Sequence, residues 1–194
     1  MGKDNSNIIN MSATLFLITA VAAVTLAAVY SVTKEPIAQA KAQKQEMAIK
    51  EVLPVEFDRI ESKEIPAVDM PNRNLLFNIA YKGDEIVGYA INTLTMKGFS
   101  GQINAMVGIS PEGTIYDTYL LEHKETPGLG TKLAEDKFKN QLKNFDPANK
   151  KLLVKQDGGD VDAITAATIS SRAFLDAIQR ALDTHKTMEE KKNE

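Results

Sequence analysis

The sequence contains no cysteine and only two histidines. A chain without cysteine cannot form a disulfide, a bacterial lipoprotein anchor, a c-type haem linkage, a cysteine-ligated iron–sulfur cluster or a thiol nucleophile. His123 and His185 lie far apart in the sequence and have no second histidine nearby, which argues against a histidine-rich metal site. Any redox role would therefore need an organic cofactor.

A strong excess of charge is also missing, since 23 basic and 26 acidic residues leave a formal charge of −3. A nucleic-acid surface is normally basic, so this balance predicts no nucleic-acid partner. The length of 194 residues and the hydrophobic fraction of 43% fit one ordinary domain with an appendage.

The appendage is an uncharged N-terminal segment, in which residues 11–32 read MSATLFLITAVAAVTLAAVYSV. As a helix that rises ~1.5 Å per residue, this run would span about 33 Å, against a hydrocarbon core of roughly 30 Å. Tyr30 stands at one end, where an interfacial aromatic is expected. A signal peptide cleaved after Ala40 is the alternative, but the run exceeds the ~7–15 apolar residues of such a signal. We therefore predict a retained membrane anchor.

The charges that flank this run do not orient it. Lys3 and Asp4 cancel on one side, and Lys34 and Glu35 cancel on the other. The positive-inside rule consequently does not decide on which side of the membrane the rest of the chain lies.

Beyond the anchor, the sequence pattern predicts antiparallel hairpins followed by helices. Residues 36–53 indicate a helix that ends before Pro54, whereas residues 57–73 are charged, contain two prolines and indicate irregular chain. Segments with turn-forming residues, 82–85 and 110–113, predict two hairpins. The hairpins consist of predicted strands at 75–81, 86–96, 102–109 and 114–122, and a further short strand is predicted at 152–154. An amphipathic helix is predicted at 131–144, with Leu133, Phe138 and Leu142 buried. The last predicted helix is at 169–185 and has Ile169 on its buried face.

This order of elements predicts an α+β fold, with one N-terminal transmembrane helix followed by an antiparallel-sheet domain with flanking helices. We expect five segments along the chain: an N-terminal tail at 1–10, the transmembrane helix at 11–32, a helical stalk and linker at 33–73, the folded domain at 74–185, and a charged, frayed tail at 186–194.

Two loops contain more glycine than a plain connection requires. The segment GFSG at residues 98–101 permits a tight bend and close approach by a flat ligand, although a simple loop between strands is the alternative. The segment ETPGLG at residues 125–130 would free backbone N–H groups to bind an oxygen-rich group, although it also fits a helix entry with Thr131 as N-cap. We interpret the adjoining His123 as a solvated loop residue in preference to a proton donor.

The stretch DAITAATISS at residues 162–171 places four hydroxyl groups, those of Thr165, Thr168, Ser170 and Ser171, at the start of the last predicted helix. A cap needs one hydroxyl, with Thr168 as the candidate, and leaves three unexplained. First-turn N–H groups lack intrahelical partners and the helix dipole is positive there, so a phosphate is stabilised at this position. Arg172 would add a charge-assisted contact.

The same stretch resembles the flavinylation motif of FMN-binding domains, Asp-x-x-(Ser/Thr)-Gly-Ala-(Thr/Ser)-x-(Ser/Thr). Asp162 and the residues from Thr165 to Ser170 follow this pattern, except that Ala166 stands where glycine is usual. The two glycine loops resemble the family as well. With its single N-terminal span, the chain is similar over its whole length to the G subunits of Rnf complexes, which are related to the C subunits of the Na⁺-pumping NADH:quinone reductases.

The resemblance implies a site and a cofactor. FMN would be attached through its phosphate to Thr168 by a flavin transferase, and Asp162 would serve in recognition by that transferase. No catalytic residue or metal ligand is implied. The other residues expected to bind the cofactor are Thr165, Ala166, Ala167, Ser170, Ser171, Arg172, Phe99, Ser100, Glu125, Thr126, Gly128, Leu129 and Gly130.

The resemblance also implies a function. Rnf complexes move electrons between ferredoxin and NAD and pump Na⁺ or H⁺. The chain would be a single-pass component of the bacterial cell membrane, with its flavin domain outside the cytoplasm, that relays electrons between other membrane subunits and is not an enzyme on its own. The alternatives are the C subunit of the related reductase, a flavin-binding sensor or maturation factor outside a pump, and a tethered structural domain with an empty site.

Overall fold

The computed structural model describes residues 3–192. They fall into two compact units, of which one ends at Lys44 and the other begins at Gln45. The α+β class predicted from the sequence is confirmed. The elements in chain order are helix α1 (Lys3–Val52), strands β1 (Arg59–Ala67), β2 (Met70–Lys82), β3 (Glu85–Gly98), β4 (Gly101–Ile109) and β5 (Ile115–His123), a 3₁₀ turn (Gly130–Ala134), helix α2 (Asp136–Lys139), a second 3₁₀ turn (Lys155–Asp157) and helix α3 (Thr168–Lys192).

Helix α1 is long and apolar enough to cross a membrane. Large apolar side chains such as Phe16 and Leu26 are exposed along it, as a helix that faces lipid requires. The hydroxyls of Thr19 and Thr25 donate to carbonyl oxygens one turn earlier, so they need no water. The helix continues through Pro36, and the two helices predicted at 11–32 and 36–53 are therefore one element.

The five strands form one antiparallel sheet in the order β1-β2-β3-β4-β5. The prediction of irregular chain at 57–73 is wrong, because β1 and the start of β2 lie there. Strand β1 is an edge strand with mostly exposed side chains, so its sequence lacks the alternation of apolar and polar residues that predicts a half-buried strand. Its charged side chains oppose edge-to-edge association with another sheet. Pro66 lies at a shift in the pairing register, where a missing N–H is tolerated.

The two faces of the sheet are covered differently. Helix α3 packs its Phe174 and Ile178 on the face that presents Phe77, Ile91 and Val107. The last turn of α1 and the residue that follows it cover the opposite face, where Ala48, Ile49, Val52 and Leu53 pack on small side chains of β2 and β3 and on Met106. Gly108 makes that approach possible, because a Cβ there would overlap the backbone of Val52.

Polar contacts fix α3 along β3. The Thr93 hydroxyl donates to the carbonyl oxygen of Ala177 (2.8 Å), and the Thr95 hydroxyl donates to the carboxylate of Asp176 (2.8 Å). The buried Arg180 pairs with Asp69 (2.7 Å) and with Asp176 (3.0 Å). Burial alone would raise the pKa of Asp176, but the hydrogen bonds from Lys97, Thr95 and Arg180 outweigh it and lower the pKa.

Three further predictions need correction. Leu133, Phe138 and Leu142 are buried as predicted, but the helix at 131–144 is broken because Glu135 adopts an extended backbone. The strand at 152–154 reduces to a single bridge between Val154 and Val161.

The predicted frayed tail from Lys186 is also wrong, since α3 remains helical to Lys192. Contacts beyond residue 185 hold this part of the helix on the sheet: Met188 packs against the core, and Glu189 accepts a hydrogen bond from the hydroxyl of Tyr89 (2.7 Å).

His185, near this end of α3, makes the stability of the fold depend on pH. Its ring is buried against Tyr89, with centroids 4.6 Å apart, and its Nε2 finds no partner in the described part of the chain. Burial lowers the pKa of His185, and Glu189 opposes the shift only in part. The unfolded chain therefore takes up the proton first, so stability is complete above the unfolded pKa of about 6.5 and is lost as the pH falls below it.

We predict that His185→Leu removes part of this acid sensitivity, because leucine fills the site without titrating. Circular dichroism of the detergent-solubilised chain should show a melting temperature that falls between pH 7 and pH 5 for the parent and falls less for the variant. An equally steep fall in both proteins would contradict the assignment to His185.

Candidate functional site

A cavity of about 330 Å³ lies where the β3–β4 turn, the loop after β5 and the start of α3 meet. A volume of this size is within the range for small-molecule and cofactor sites. All of the lining residues except Ile169 were expected from the sequence. They are Phe99, Glu125, Thr126, Leu129, Gly130, Ala166, Ala167, Thr168, Ile169 and Ser170.

A larger cavity, of about 620 Å³, lies between the C-terminal part of α3 and strands β1 to β3. It contains none of the glycine-rich or hydroxyl-rich segments. The smaller cavity is therefore the candidate site, because it collects the residues whose chemistry the sequence singles out.

The β3–β4 turn presents Phe99 at the mouth of the candidate site. Gly98 pairs with Gly101 across the turn, and Gly101 has a φ of +115°, which favours glycine. A Cβ on Gly98 would overlap Gly101 and the carboxylate of Glu125. The Phe99 side chain is 67% exposed, so an aromatic face is available to a flat ligand.

The ETPGLG loop is closed by its own contacts. The N–H of Gly128, whose φ is +76°, donates to the hydroxyl of Thr131 (2.9 Å). The following 3₁₀ turn has Leu129 at its N-cap position and no side-chain cap, so the interpretation of Thr131 as an N-cap is wrong. Gly130 lies against Glu125, where a Cβ would not fit.

Glu125 joins the three segments. Its side chain is buried, and one carboxylate oxygen accepts the N–H of Ser100 (3.0 Å) while the other accepts the hydroxyl of Ser170. Its backbone N–H donates to Nδ1 of His123 (3.2 Å). His123 is half-buried and serves as an acceptor that holds the loop.

The four hydroxyls at the start of α3 have different environments. Ser171 is buried, donates to the Ala167 carbonyl (3.0 Å) and accepts the N–H of Ile164 (3.0 Å), so it serves the fold. The Ser170 hydroxyl is occupied by Glu125.

Thr165 and Thr168 remain. Thr165 is exposed and lies off the cavity, whereas Thr168 is half-buried and lines it. Thr168 is the first residue of α3, and within residues 3–192 its hydroxyl makes no hydrogen bond, so it does not act as a cap. Of the four hydroxyls at the start of α3, Thr168 is therefore the one that lines the cavity and has no partner among the described residues.

Ala166 has a φ of +62°, in the left-handed region. Glycine adopts this conformation readily, whereas an L-residue with a Cβ is strained there. The turn before α3 thus explains why glycine is usual at this place in the motif. Ala166 is exposed, so its strain comes from its own backbone and not from tight packing of the methyl group.

Besides Thr165 and Ser171, four other predicted residues lie outside the cavity lining. The guanidinium of Arg172 forms a two-point contact with Asp157 (2.6 and 2.7 Å), which lowers the pKa of Asp157, and it is engaged away from the site. Ser100 and Gly128 contribute backbone contacts to the two loops. Asp162 is exposed and pairs with Lys155 (2.8 Å).

Ile169 is the lining residue that the sequence interpretation missed. Its periodicity suggested the buried face of the last helix, but the side chain is 49% exposed and borders the cavity beside Thr168. An isoleucine among four hydroxyl residues at a helix start is the signal that would have found it. Together with Phe99 and Leu129 it gives the cavity an apolar wall.

The cavity fits a phosphorylated aromatic cofactor. The first turn of a 25-residue helix offers unpaired N–H groups and the positive end of a dipole to a phosphate. The apolar wall suits a flat ring. Thr168 lies between these two features.

Comparison with known proteins agrees with this geometry. Residues 98–183 match the FMN-binding domain family, and residues 1–52 match the RnfG N-terminal region. The G subunit of the ion-translocating oxidoreductase complex of Erwinia tasmaniensis is 35% identical over 179 residues, which cover 86% of this chain and 84% of that protein. Its counterpart in Methanosarcina acetivorans is 35% identical over 188 residues, covering 93% and 96%.

Two further similarities are informative. The G subunit of the Na⁺-translocating ferredoxin:NAD⁺ oxidoreductase complex of Acetobacterium woodii is 29% identical over 185 residues, covering 90% of this chain and 89% of that protein. The crystal structure of the C subunit of Na⁺-translocating NADH-quinone reductase from Parabacteroides distasonis superposes with a TM-score of 0.51 at 15% identity, over 75% of this chain and 90% of that one. This second similarity concerns the fold alone.

We predict that Ala166→Gly stabilises the protein, because glycine relieves the strain at positive φ. The gain in free energy of unfolding should be about 0.5–1 kcal/mol, since the relieved strain of about 1–2 kcal/mol is partly offset by the entropy of glycine. Denaturant unfolding followed by circular dichroism measures it. Ala173→Gly, in the buried interior of α3, is the matched control and should destabilise by about 1–2 kcal/mol. Destabilisation by Ala166→Gly would contradict the strain.

Proposed function

We propose that this chain, which belongs to the family of G subunits of ion-translocating oxidoreductase (Rnf) complexes, carries covalently bound FMN as an electron relay within such a complex. The observation that carries the proposal is the Thr168 hydroxyl, which lines the cavity at the positive end of α3 and has no partner among the described residues. All of the lining residues lie within the matched FMN-binding domain.

A phosphoester at Thr168 accounts for the use of the hydroxyl groups. Thr168 would supply the ester oxygen, and the unpaired N–H groups of the first turn would bind the remaining phosphate oxygens. Ser170 and Ser171 already have partners inside the protein, and Thr165 lies off the cavity. Thr168 is thus favoured over its three neighbours by position and by availability.

A flavin transferase is the proposed partner in maturation, with Asp162 as part of the surface that it recognises. The Asp162 side chain is exposed and precedes the acceptor by six positions, and it would repel a phosphate if it lay against one. Gln141 holds the backbone of Asp162 on both sides, since it accepts the N–H (2.7 Å) and donates to the carbonyl (3.2 Å). The carboxylate is therefore presented on a fixed backbone.

The electron-relay role follows from the cofactor and the anchor. FMN accepts and releases electrons singly or in pairs, and a covalent link prevents its loss from a permanent chain of carriers. Helix α1 would hold the domain beside the other membrane subunits of the complex. The name of the Acetobacterium relative points to ferredoxin and NAD⁺ as the ends of that chain.

We predict that Thr168→Ala abolishes flavin attachment and electron transfer through the assembled complex, because none of the other three hydroxyls at the start of α3 both lines the cavity and lacks a partner among the described residues. Thr168→Ser should retain both. In-gel flavin fluorescence, intact mass and ferredoxin-dependent NAD⁺ reduction by isolated membranes measure the effects. Thr187→Ala, which removes a hydroxyl of the same helix outside both the motif and the cavity, is the matched control and should behave like the parent. Covalent flavin on the Thr168→Ala variant would contradict the assignment of Thr168. Normal electron transfer in a complex without this flavin would show that the flavin does not take part in the transfer.

We also predict that the flavin domain lies outside the cytoplasm. The chain has no cysteine, so a single introduced cysteine reports its own location. Glu112→Cys, at the exposed β4–β5 turn, should react with an impermeant maleimide in intact cells, whereas Lys3→Cys should react only after permeabilisation. The reverse pattern would contradict the proposed side.

A further inference from the structure

We propose that Glu125 is the positioning residue that assembles the flavin site, and that its buried negative charge makes the bound FMN harder to reduce. The proposal rests on the proposed function, because its second half needs FMN in the cavity that Glu125 lines. Its first half concerns the protein alone.

The positioning role follows from the contacts of the two carboxylate oxygens. Oε1 accepts the N–H of Ser100 in the β3–β4 turn (3.0 Å), and Oε2 accepts the hydroxyl of Ser170 in the first turn of α3. Gly98 and Gly130 lie against this side chain so closely that neither has room for a Cβ. One side chain thus connects all three walls of the cavity.

The charge of Glu125 is not neutralised by a neighbouring cation. The side chain is 4% exposed, and in the described part of the chain no lysine, arginine or histidine forms an ion pair with it. Three basic side chains of the neighbouring segments have other partners: Arg172 pairs with Asp157, Lys155 with Asp162, and Lys97 with Asp176.

Two hydrogen bonds and the positive end of α3 stabilise this charge instead. A fixed negative charge in a poorly solvated cavity opposes the arrival of further negative charge, and the opposition is stronger than in water because the effective dielectric constant is lower. Reduction adds electrons, and therefore negative charge, to a flavin bound in the same cavity. Glu125 therefore shifts the midpoint potential of the bound flavin to more negative values.

Two substitutions separate position from charge. Glu125→Gln retains the length of the side chain and one carbonyl oxygen for the Ser100 N–H, but it removes the charge. Glu125→Asp retains the charge but is one methylene shorter, so it cannot reach Ser100 and Ser170 together. Glu190→Gln is the matched control. It removes the same charge at an exposed position of α3, more than twenty residues after Thr168.

The charge is tested by redox titration of the flavin absorbance in the purified holoprotein. Glu125→Gln should shift the midpoint potential to more positive values, whereas Glu190→Gln should leave it at that of the parent. Equal potentials in all three proteins would overturn the electrostatic half of the proposal.

The positioning role is tested without flavin, by amide hydrogen exchange in a Thr168→Ala background. Glu125→Asp should increase exchange in residues 98–101 several-fold, and Glu125→Gln should increase it much less. In the Thr168-containing protein, Glu125→Asp should also reduce the fraction of chains that carry FMN. Exchange and loading equal to those of the parent would overturn the positioning half.

The failure of this proposal differs from the failure of the proposed function. A parent protein without covalent FMN would refute the proposed function and with it the effect on the potential. The exchange experiment would still decide whether Glu125 holds the loops together.

Discussion

The candidate site depends on the position of α3 along β3, which contacts between the helix and the strand fix. Thr93 and Thr95 of β3 bond to Ala177 and Asp176 near the middle of the helix. Because an α-helix advances ~1.5 Å per residue, this contact sets the first turn of α3 about 12 Å further along β3. The first turn therefore faces the end of β3, where the chain bends into β4. A shift of α3 by one turn would separate Thr168 from Phe99 and leave no cavity between them.

The positive end of α3 serves two anions. One is the carboxylate of Glu125, which reaches the helix through the Ser170 hydroxyl. The other, under the proposed function, is the phosphate on Thr168. The dipole and the unpaired N–H groups of one helix start stabilise both. This explains why none of the described residues that line the cavity is basic, and why Arg172 can pair with Asp157.

Local signals made much of this structure readable from the sequence. Turn residues such as Gly83 and Gly113 marked the hairpins, and the hydroxyl cluster marked the start of α3. Non-local contacts decided the rest. The charged edge strand β1 is held by pairing with β2, and the last turns of α3 are held by the contact of Glu189 with Tyr89. Arg172 has an acidic partner only because the chain folds Asp157 back towards α3.

Peptide mass spectrometry of the protein from its own host tests the central claim most directly. Trypsin should release residues 156–172, QDGGDVDAITAATISSR, which contain all four hydroxyls in question. Tandem fragmentation should locate the mass of one FMN minus water on Thr168. The same mass on Thr165, Ser170 or Ser171, or a peptide recovered fully unmodified from assembled complex, would contradict the account.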